Sequence, residues 1–352
     1  MTESNTLEEQ SGIDQLPLEA LGQYLADQLP GFSGPIRATK FSGGQSNPTF
    51  RLESPSGTYV LRRQPPGKLL KSAHAVDREF RVLRALADTA VPVPQVLHLC
   101  EDRELIGSMF YIMEYCEGRI FWDAALPEVD NDQRSGIYEE MNRVLAAMHS
   151  VDIEAVGLAD YGKPGNYYQR QFDRWSSQYR ASEIDPIPAM DQLIEWLDGH
   201  LPGDDGRVAL VHGDYRLDNI VFHPERPQAT AVLDWELSTL GHPFADLAYQ
   251  CMQLRMPASG EKMSGLMGVD RQALGIPSEA EYVARYCQRM GIEKIDNWAF
   301  YLAFSFFRLA AIIQGVAKRA QQGNASSKNA ARMGALVDPV ARFALDVIEK
   351  EY

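Results

Sequence analysis

The feature that most constrains this chain is a change of hydrophobic period part-way along it. Residues 36–41, 49–52, 58–63, 95–99 and 109–115 are short β-like runs, and Ser54-Pro55-Ser56-Gly57 is a turn joining two of them as a hairpin. Two helical stretches accompany these runs. Residues 16–29 carry apolar side chains at helical spacing with Pro17 near the start, and 74–86 place Val76, Phe80, Leu83 and Leu86 near one face. From Asp132 onward the period is helical, over 138–149, 169–179, 190–201, 246–254, 279–290, 298–319 and 332–350. A pair of short apolar runs at 207–211 and 220–222 interrupts it. This order implies an α+β fold of two lobes, a small five-stranded antiparallel β lobe carrying one helix and a larger, mostly helical lobe, with a ligand-binding cleft expected between them. The expected boundaries are a disordered tail at 1–15, a first lobe at 16–113, a hinge at 114–118 and a second lobe at 119–352.

Bulk properties narrow the function. The chain has 352 residues, 45% of them hydrophobic, enough apolar surface for two cores. The formal charge of −14 argues against nucleic acid as a partner, because phosphate backbones attract basic surfaces. Cys100, Cys116, Cys251 and Cys287 are far apart, with neither zinc-ligand spacing nor a disulfide framework, so a reducing, cytoplasmic setting is expected. Residues 1–12 are polar and acidic, unlike a signal peptide. Residues 298–317 are apolar enough to imitate a membrane span, but Arg308 at the centre and Gln314 after it suit a buried core helix better, and no membrane partner is expected.

The chemistry is concentrated in His212-Gly213-Asp214-Tyr215-Arg216-Leu217-Asp218-Asn219, a polar loop between two apolar runs. An Asp with an Asn five places on and a His two places before is the spacing of a kinase catalytic loop, in which the Asp takes the proton of a hydroxyl and the Asn holds magnesium. A second Asp, Asp234, ends a short apolar run fifteen residues past Asn219, where a kinase keeps its chief metal ligand. Asp214 is thus the candidate base, and Asn219 and Asp234 are candidate metal ligands. Arg216 is a candidate cation for the transferred phosphate, whereas His212 reads as a brace and Asp218 is ambiguous. Asp246 is expected to cap a helix and hold the loop, and His149 to be a buried hydrogen-bonded residue.

Phosphoryl transfer also needs a cradle and a cation for the triphosphate. Ser42, Gly43, Gly44 and Ser46, between the first two β runs, are the candidate cradle, although Gly-Gly there also suits a plain turn. Tyr59-Val60-Leu61-Arg62 fills the positions of the kinase Val-Ala-Ile-Lys. Alternation puts Val60 and Arg62 on one face, Val60 to cover adenine and Arg62 to reach phosphate, with Arg63 on the other. Arg in place of Lys substitutes a planar fork for a point charge. Glu79, with Asp77 as competitor, is placed to orient Arg62. The carbonyl of Glu114 and the N–H of Cys116 are candidates for the adenine edge.

Together these residues resemble the aminoglycoside phosphotransferase and choline kinase branch of the protein-kinase-like superfamily, over nearly the whole chain. The resemblance rests on Ser42-Gly43-Gly44-Gln45-Ser46-Asn47, Glu79, His212-Gly213-Asp214 with Asn219, and Leu233-Asp234-Trp235-Glu236. It implies transfer of the ATP γ-phosphate to a hydroxyl of a small molecule, with magnesium. Residues 60–68, 72–79 and 212–219 are most similar to kinase-like domains fused to acyl-CoA dehydrogenases, which implies a hydroxylated acyl thioester as acceptor in place of an antibiotic. Met252, Met256, Met263 and Met267 offer an apolar acceptor wall or simply core filler. Two other classes fit less well: a kinase-fold binding protein without transfer chemistry, for which Arg62 is the main support, and a metallophosphoesterase, which lacks the His-rich ligands.

Overall fold

The computed structural model describes residues 7–8, 16–41, 47–65, 74–258, 265–321 and 334–351. The chain forms two compact units. The first takes the chain up to Ile120 together with Glu154–Leu158 and Asp218–Ser238; the second holds Phe121–Ile153, Ala159–Leu217 and the chain from Thr239 onward.

The first unit is built on one antiparallel sheet. Its strands are β1 (Leu7–Glu8), β2 (Arg37–Phe41), β3 (Thr49–Ser54), β4 (Gly57–Arg63), β5 (Val96–Cys100) and β6 (Phe110–Glu114), in the order β1-β2-β3-β4-β6-β5. The five expected strands are all present. A sixth strand adds to one edge: Leu7 and Glu8, inside the stretch expected to be a disordered tail, sit opposite Phe41 and Lys40. A backbone ladder needs no apolar run to form, so the composition of this stretch carried no sign of it.

Helix α1 (Leu18–Gln28) buries Leu21 and Leu25 in a core shared with Phe50, Leu52, Leu61, Phe110 and Ile112 of the sheet. Each such side chain contributes roughly 1.5–3 kcal/mol relative to exposure. Helix α2 (Val76–Leu86) starts two residues later than its apolar pattern suggested. His74 stands at φ 60°, a left-handed conformation that cannot be the first turn of an α-helix. A hairpin of β8 (Ile220–Phe222) and β9 (Ala229–Val232) completes the unit, followed by a 3-10 turn at Trp235–Leu237 against α2. Arg119 and Phe222 exchange backbone hydrogen bonds of 2.7 and 2.8 Å, which ties the end of the expected hinge to β8. Gly118 makes this possible, since a Cβ there would lie 2.3 Å from the carbonyl oxygen of Phe222.

The second unit is helical, with α3 (Asn131–His149), α4 (Tyr167–Ser182), α5 (Pro188–Gly199), α6 (Phe244–Leu254), α7 (Glu279–Met290), α8 (Trp298–Gln321) and α9 (Val337–Glu351). Its two short strands, β7 (Ala209–Val211) and β10 (Thr239–Gly241), pair antiparallel. Helix α3 begins seven residues before its apolar pattern because Asp130 caps it, accepting from the N–H of Gln133. Helix α7 has a full capping box, Ser278 with Glu281, and stops at Gly291 in the left-handed region. The long apolar helix α8 packs against α4, α5, α6 and α9, and 83% of its most apolar window is buried. Its apolarity is therefore answered by protein on nearly every side.

Candidate active site

In the first unit, three carboxylates gather around one guanidinium. Arg62 leaves β4 beside Thr49 of β3 and Tyr111 of β6 in the sheet register. Its Nε lies 2.8 Å from Glu79 Oε2, and its Nη2 lies 2.5 Å from Asp234 Oδ1 and 3.7 Å from Glu236 Oε2. Burial works against the Arg62 charge, but Glu79, Asp234 and Glu236 together hold its pKa above the ordinary value. Glu79 is fully enclosed on α2. Burial pushes its carboxyl up to about 7, Arg62 opposes this, and Asp234 and Glu236 add to it. Asp77, the competing acid, makes no ion pair with Arg62 among the described residues. Tyr111 is fully buried next to Arg62 in the register, and burial, followed by the nearby Glu79, pushes its hydroxyl well above the ordinary range.

Asp234 reaches Arg62 through an unusual backbone. It stands at φ 65° and ψ 59° at the end of β9, a region costly for a residue with a Cβ. Asn219 ends the catalytic loop just before β8, and its carbonyl accepts the N–H of Leu233 at 2.8 Å. The ladder of β8 with β9 thus puts Asn219 and Asp234 at the same end of one hairpin. Asn47, just past the expected cradle, is buried and gives its Nδ2 to Glu236 Oε2 at 3.2 Å, with His74 on its Oδ1 at 3.1 Å. Ser42, Gly43, Gly44 and Ser46 lie outside the described residues.

Other members of the first unit take the following places. Val60 is buried on β4, and Arg63, on the opposite face, stacks over Phe50 with its Nη1 on the carbonyl of Ile106. Glu114 ends β6 with its carboxylate accepting the N–H of Gln95 at 2.8 Å. Burial, and then Glu114, push the Cys116 thiol up to about 12.

In the second unit the catalytic loop is pinned from behind by Asp246. Its Oδ2 accepts the N–H of His212 at 2.7 Å, and its Oδ1 accepts the N–H of Gly213 at 2.8 Å. The expectation that Asp246 caps its helix is corrected, because α6 begins at Phe244 and the carboxylate lies inside the first turn, turned to the loop. Gly213 stands at φ 85°, which lets the loop present two successive N–H groups to one carboxylate. His149 Nε2 lies 3.3 Å from Asp246 Oδ2, and His149 Nδ1 lies 2.7 Å from the hydroxyl of Tyr286. Burial raises the Asp246 pKa, but His149, His212 and the Gly213 N–H outweigh it and hold the carboxyl below its ordinary value.

Asp214 itself is partly exposed and accepts the hydroxyl of Tyr249 on Oδ1 at 2.8 Å. Arg216 Nε lies 3.7 Å from the same oxygen. Asp214 also gives its N–H to His212 Nδ1 at 3.2 Å, and Arg308 of α8 donates to the carbonyl of Gly213 at 2.7 Å. Of the methionines considered as an acceptor wall, Met252 and Met256 are buried, Met267 is exposed and Met263 lies outside the described residues. Among the described residues no cluster of three or more His, Cys, Asp or Glu could hold a metal, which leaves Asn219 and Asp234 as a two-donor set.

Residues that sequence reasoning left out of the site include Asn47, Tyr111, Glu236, Tyr249 and Arg308. Glu236 and Asn47 stand inside quoted motifs, and Arg308 announced itself as a cation in an apolar helix. Tyr111 and Tyr249 carried no local signal.

Comparison with known proteins bears on the family and the fold. A family model described as the phosphotransferase enzyme family matches residues 37–300. Mouse acyl-CoA dehydrogenase family member 10 is 51% identical over 337 residues, covering 96% of this chain and 31% of the relative. Human acyl-CoA dehydrogenase family member 11 is 42% identical over 348 residues, covering 97% and 44%. The chain thus spans less than half the length of these curated relatives. A crystal structure from Ralstonia eutropha, assigned as an aminoglycoside phosphotransferase, superposes with a TM-score of 0.87 at 49% identity, covering 96% of this chain and 99% of the other. A thermostable aminoglycoside phosphotransferase mutant in ternary complex with AMP-PNP and hygromycin B has a TM-score of 0.60 at 16% identity, covering 93% and 98%, and shares the fold.

Proposed function

Because the chain belongs to the phosphotransferase enzyme family, we propose that it transfers the γ-phosphate of ATP, with magnesium, to a hydroxyl of a small molecule. The observation that carries this reading is the meeting of Arg62, Glu79 and Asp234, which lie far apart in the sequence. One guanidinium faces three carboxylates there, so the cluster has surplus negative charge and suits a further cation. Asn219 and Asp234 fit magnesium, which takes one or two protein donors and fills its remaining positions with water and phosphate oxygens. When bound, magnesium neutralises charge on the transferred phosphate.

In this reading Asp214 accepts the proton of the acceptor hydroxyl as its oxygen attacks the γ-phosphorus and ADP leaves. Arg62 and Arg216 hold phosphate oxygens. Glu79 orients Arg62, and Ser42, Gly43, Gly44 and Ser46 cradle the phosphates. Val60 covers adenine, while the Glu114 carbonyl and Cys116 N–H receive its polar edge.

The names of the curated relatives support a hydroxyacyl-CoA as acceptor over an antibiotic. The test is ADP formation by wild type and Asp214→Ala against aminoglycosides, choline-like alcohols, sugars and hydroxyacyl-CoAs. Acceptor-dependent turnover that Asp214→Ala lowers by at least a hundredfold is expected. Equal rates from the two proteins sink the assignment of the base.

A further inference from the structure

Arg308 is costly where it stands. It lies mid-way along the most apolar helix of the chain, and its Nε is buried with no hydrogen-bond partner. An unsatisfied N–H of this kind lowers stability, so packing alone does not account for the residue. Its other contacts reach the loop at Gly213, the Tyr249 ring beside Asp214, and Trp175 of α4. Nη2 donates to the carbonyl of Gly213 at 2.7 Å. The guanidinium lies over the ring of Tyr249, 5.4 Å from its centroid, and over that of Trp175 at 5.8 Å. Tyr249 in turn donates its hydroxyl to Asp214 Oδ1 at 2.8 Å.

We propose that Tyr249 and Arg308 are a positioning pair for Asp214, a reading that rests on the phosphotransferase role given above. Tyr249 fixes the rotation of the Asp214 carboxylate by holding one of its oxygens. Arg308 fixes the peptide immediately before Asp214 and, by lying on the Tyr249 ring, keeps the phenol aimed at the carboxylate. The backbone N–H groups of His212 and Gly213 are already held by Asp246. The Arg308 contact adds the Gly213 carbonyl, so both sides of that residue's backbone are clamped, from α6 and from α8. A base held within a narrow range of orientations gains rate without any change in how tightly the nucleotide binds. Tyr249 is itself nine-tenths buried, and burial, together with Asp214, raises its pKa, so it stays a neutral donor.

The experiment compares the full chain with Tyr249→Phe, Arg308→Met and Arg308→Lys, measuring ADP release with magnesium and ATP. Water, or an acceptor that supports turnover, serves as the second substrate. A fluorescent ATP analogue and thermal melting report nucleotide affinity and folding. Tyr249→Phe keeps the ring beneath Arg308 and removes only the hydroxyl. The expected result is a kcat roughly tenfold to a hundredfold lower, with KM and affinity for ATP changed less than about twofold. Arg308→Met should lose a similar factor, and Arg308→Lys, which keeps a charged donor, should recover part of it. Full kcat in Tyr249→Phe overturns the proposal. A parallel loss of melting temperature, ATP affinity and kcat overturns it as well, because that is the pattern of a merely structural residue. No ADP from the wild-type protein with any second substrate overturns the phosphotransferase reading, and this inference falls with it.

Discussion

Replacing Asp246 by Asn tests how the catalytic loop is held, because the change is nearly isosteric and alters only charge and one acceptor. The Asp246 carboxylate faces two backbone N–H groups, one on each oxygen, at 2.7 and 2.8 Å. An amide has one acceptor oxygen, so one of the His212 and Gly213 N–H groups is left facing an NH2 donor. The site is sealed, with Asp246 only 1% exposed, and water cannot replace the lost partner. Loss of a charged hydrogen bond is worth about 1.5–3 kcal/mol, and an unsatisfied buried donor costs about 1–3 kcal/mol more. His149 also loses the anion beside its Nε2. The expected destabilisation is about 3–5 kcal/mol, the range for breaking a buried charged pair. For a unit of this size that corresponds to a fall of roughly 10 °C in melting temperature.

The assay is urea and thermal unfolding of the full chain, followed by tryptophan fluorescence and far-ultraviolet circular dichroism. The pH dependence supplies a second check. The folded pKa of Asp246 lies below its ordinary value, so its contribution is present above the unfolded pKa of about 3.9 and is lost as pH falls through the lower folded value. The wild-type protein should therefore lose stability below about pH 4 by an increment that Asp246→Asn lacks. A destabilisation under about 1 kcal/mol, with unchanged acid behaviour, refutes the view that this carboxylate pins the loop.

Two further outcomes concern the first unit. Glu79 ionises in the unfolded chain near pH 4.3 but in the folded chain only near 7, so its own contribution to stability is fully present below about pH 4 and is lost as pH rises through 7. Glu79→Gln should flatten that decline, and an unchanged slope in unfolding free energy against pH assigns it elsewhere. Gly118→Ala places a Cβ 2.3 Å from the Phe222 carbonyl oxygen and 2.6 Å from Val221 Cγ1, so the Arg119–Phe222 pairing must open. The expected cost is about 1–3 kcal/mol, with faster hydrogen exchange at the N–H groups of Arg119 and Phe222; protection equal to wild type argues against the tie.

Much of this architecture is legible locally. Strands β2 to β6 and α7 announce themselves through period, because a half-buried strand or helix must show one apolar face. Residues 212–219 are legible because a kinase-like spacing lies within one short loop. What the sequence leaves hidden is non-local. Nothing near Tyr249 says that its hydroxyl meets Asp214, and nothing near Tyr111 says that it meets Glu79. Nor does the sequence indicate that Asn219 and Asp234 fold with the first unit while Asp214 folds with the second. Such pairings depend on register and packing across long separations, which a period cannot carry. Asp246 was legible in part: it holds the loop as expected, but its helix begins at Phe244 and it is not the cap.

The substitution of Arg for Lys at position 62 follows from the same geometry. A lysine ammonium is a single point of charge on a flexible stem. Arg62 uses separate nitrogens, Nε toward Glu79 and Nη2 toward Asp234, with Glu236 3.7 Å from the latter and Thr49 within 3.5 Å of Nη1. The planar fork therefore reaches acids delivered by α2 and by the end of β9 together. A lysine there would have one nitrogen to serve both Glu79, sealed and already resisting ionisation, and Asp234, held in a strained backbone. The price of the fork is a tighter grip on Asp234, the residue proposed to bind magnesium. If magnesium were to bind there, Asp234 would have to exchange its contact with Arg62 for the metal. On this account Arg62→Lys loosens the hold on Asp234 and weakens the anchoring by Glu79 in the same step. The two effects separate when metal affinity and nucleotide affinity are measured independently.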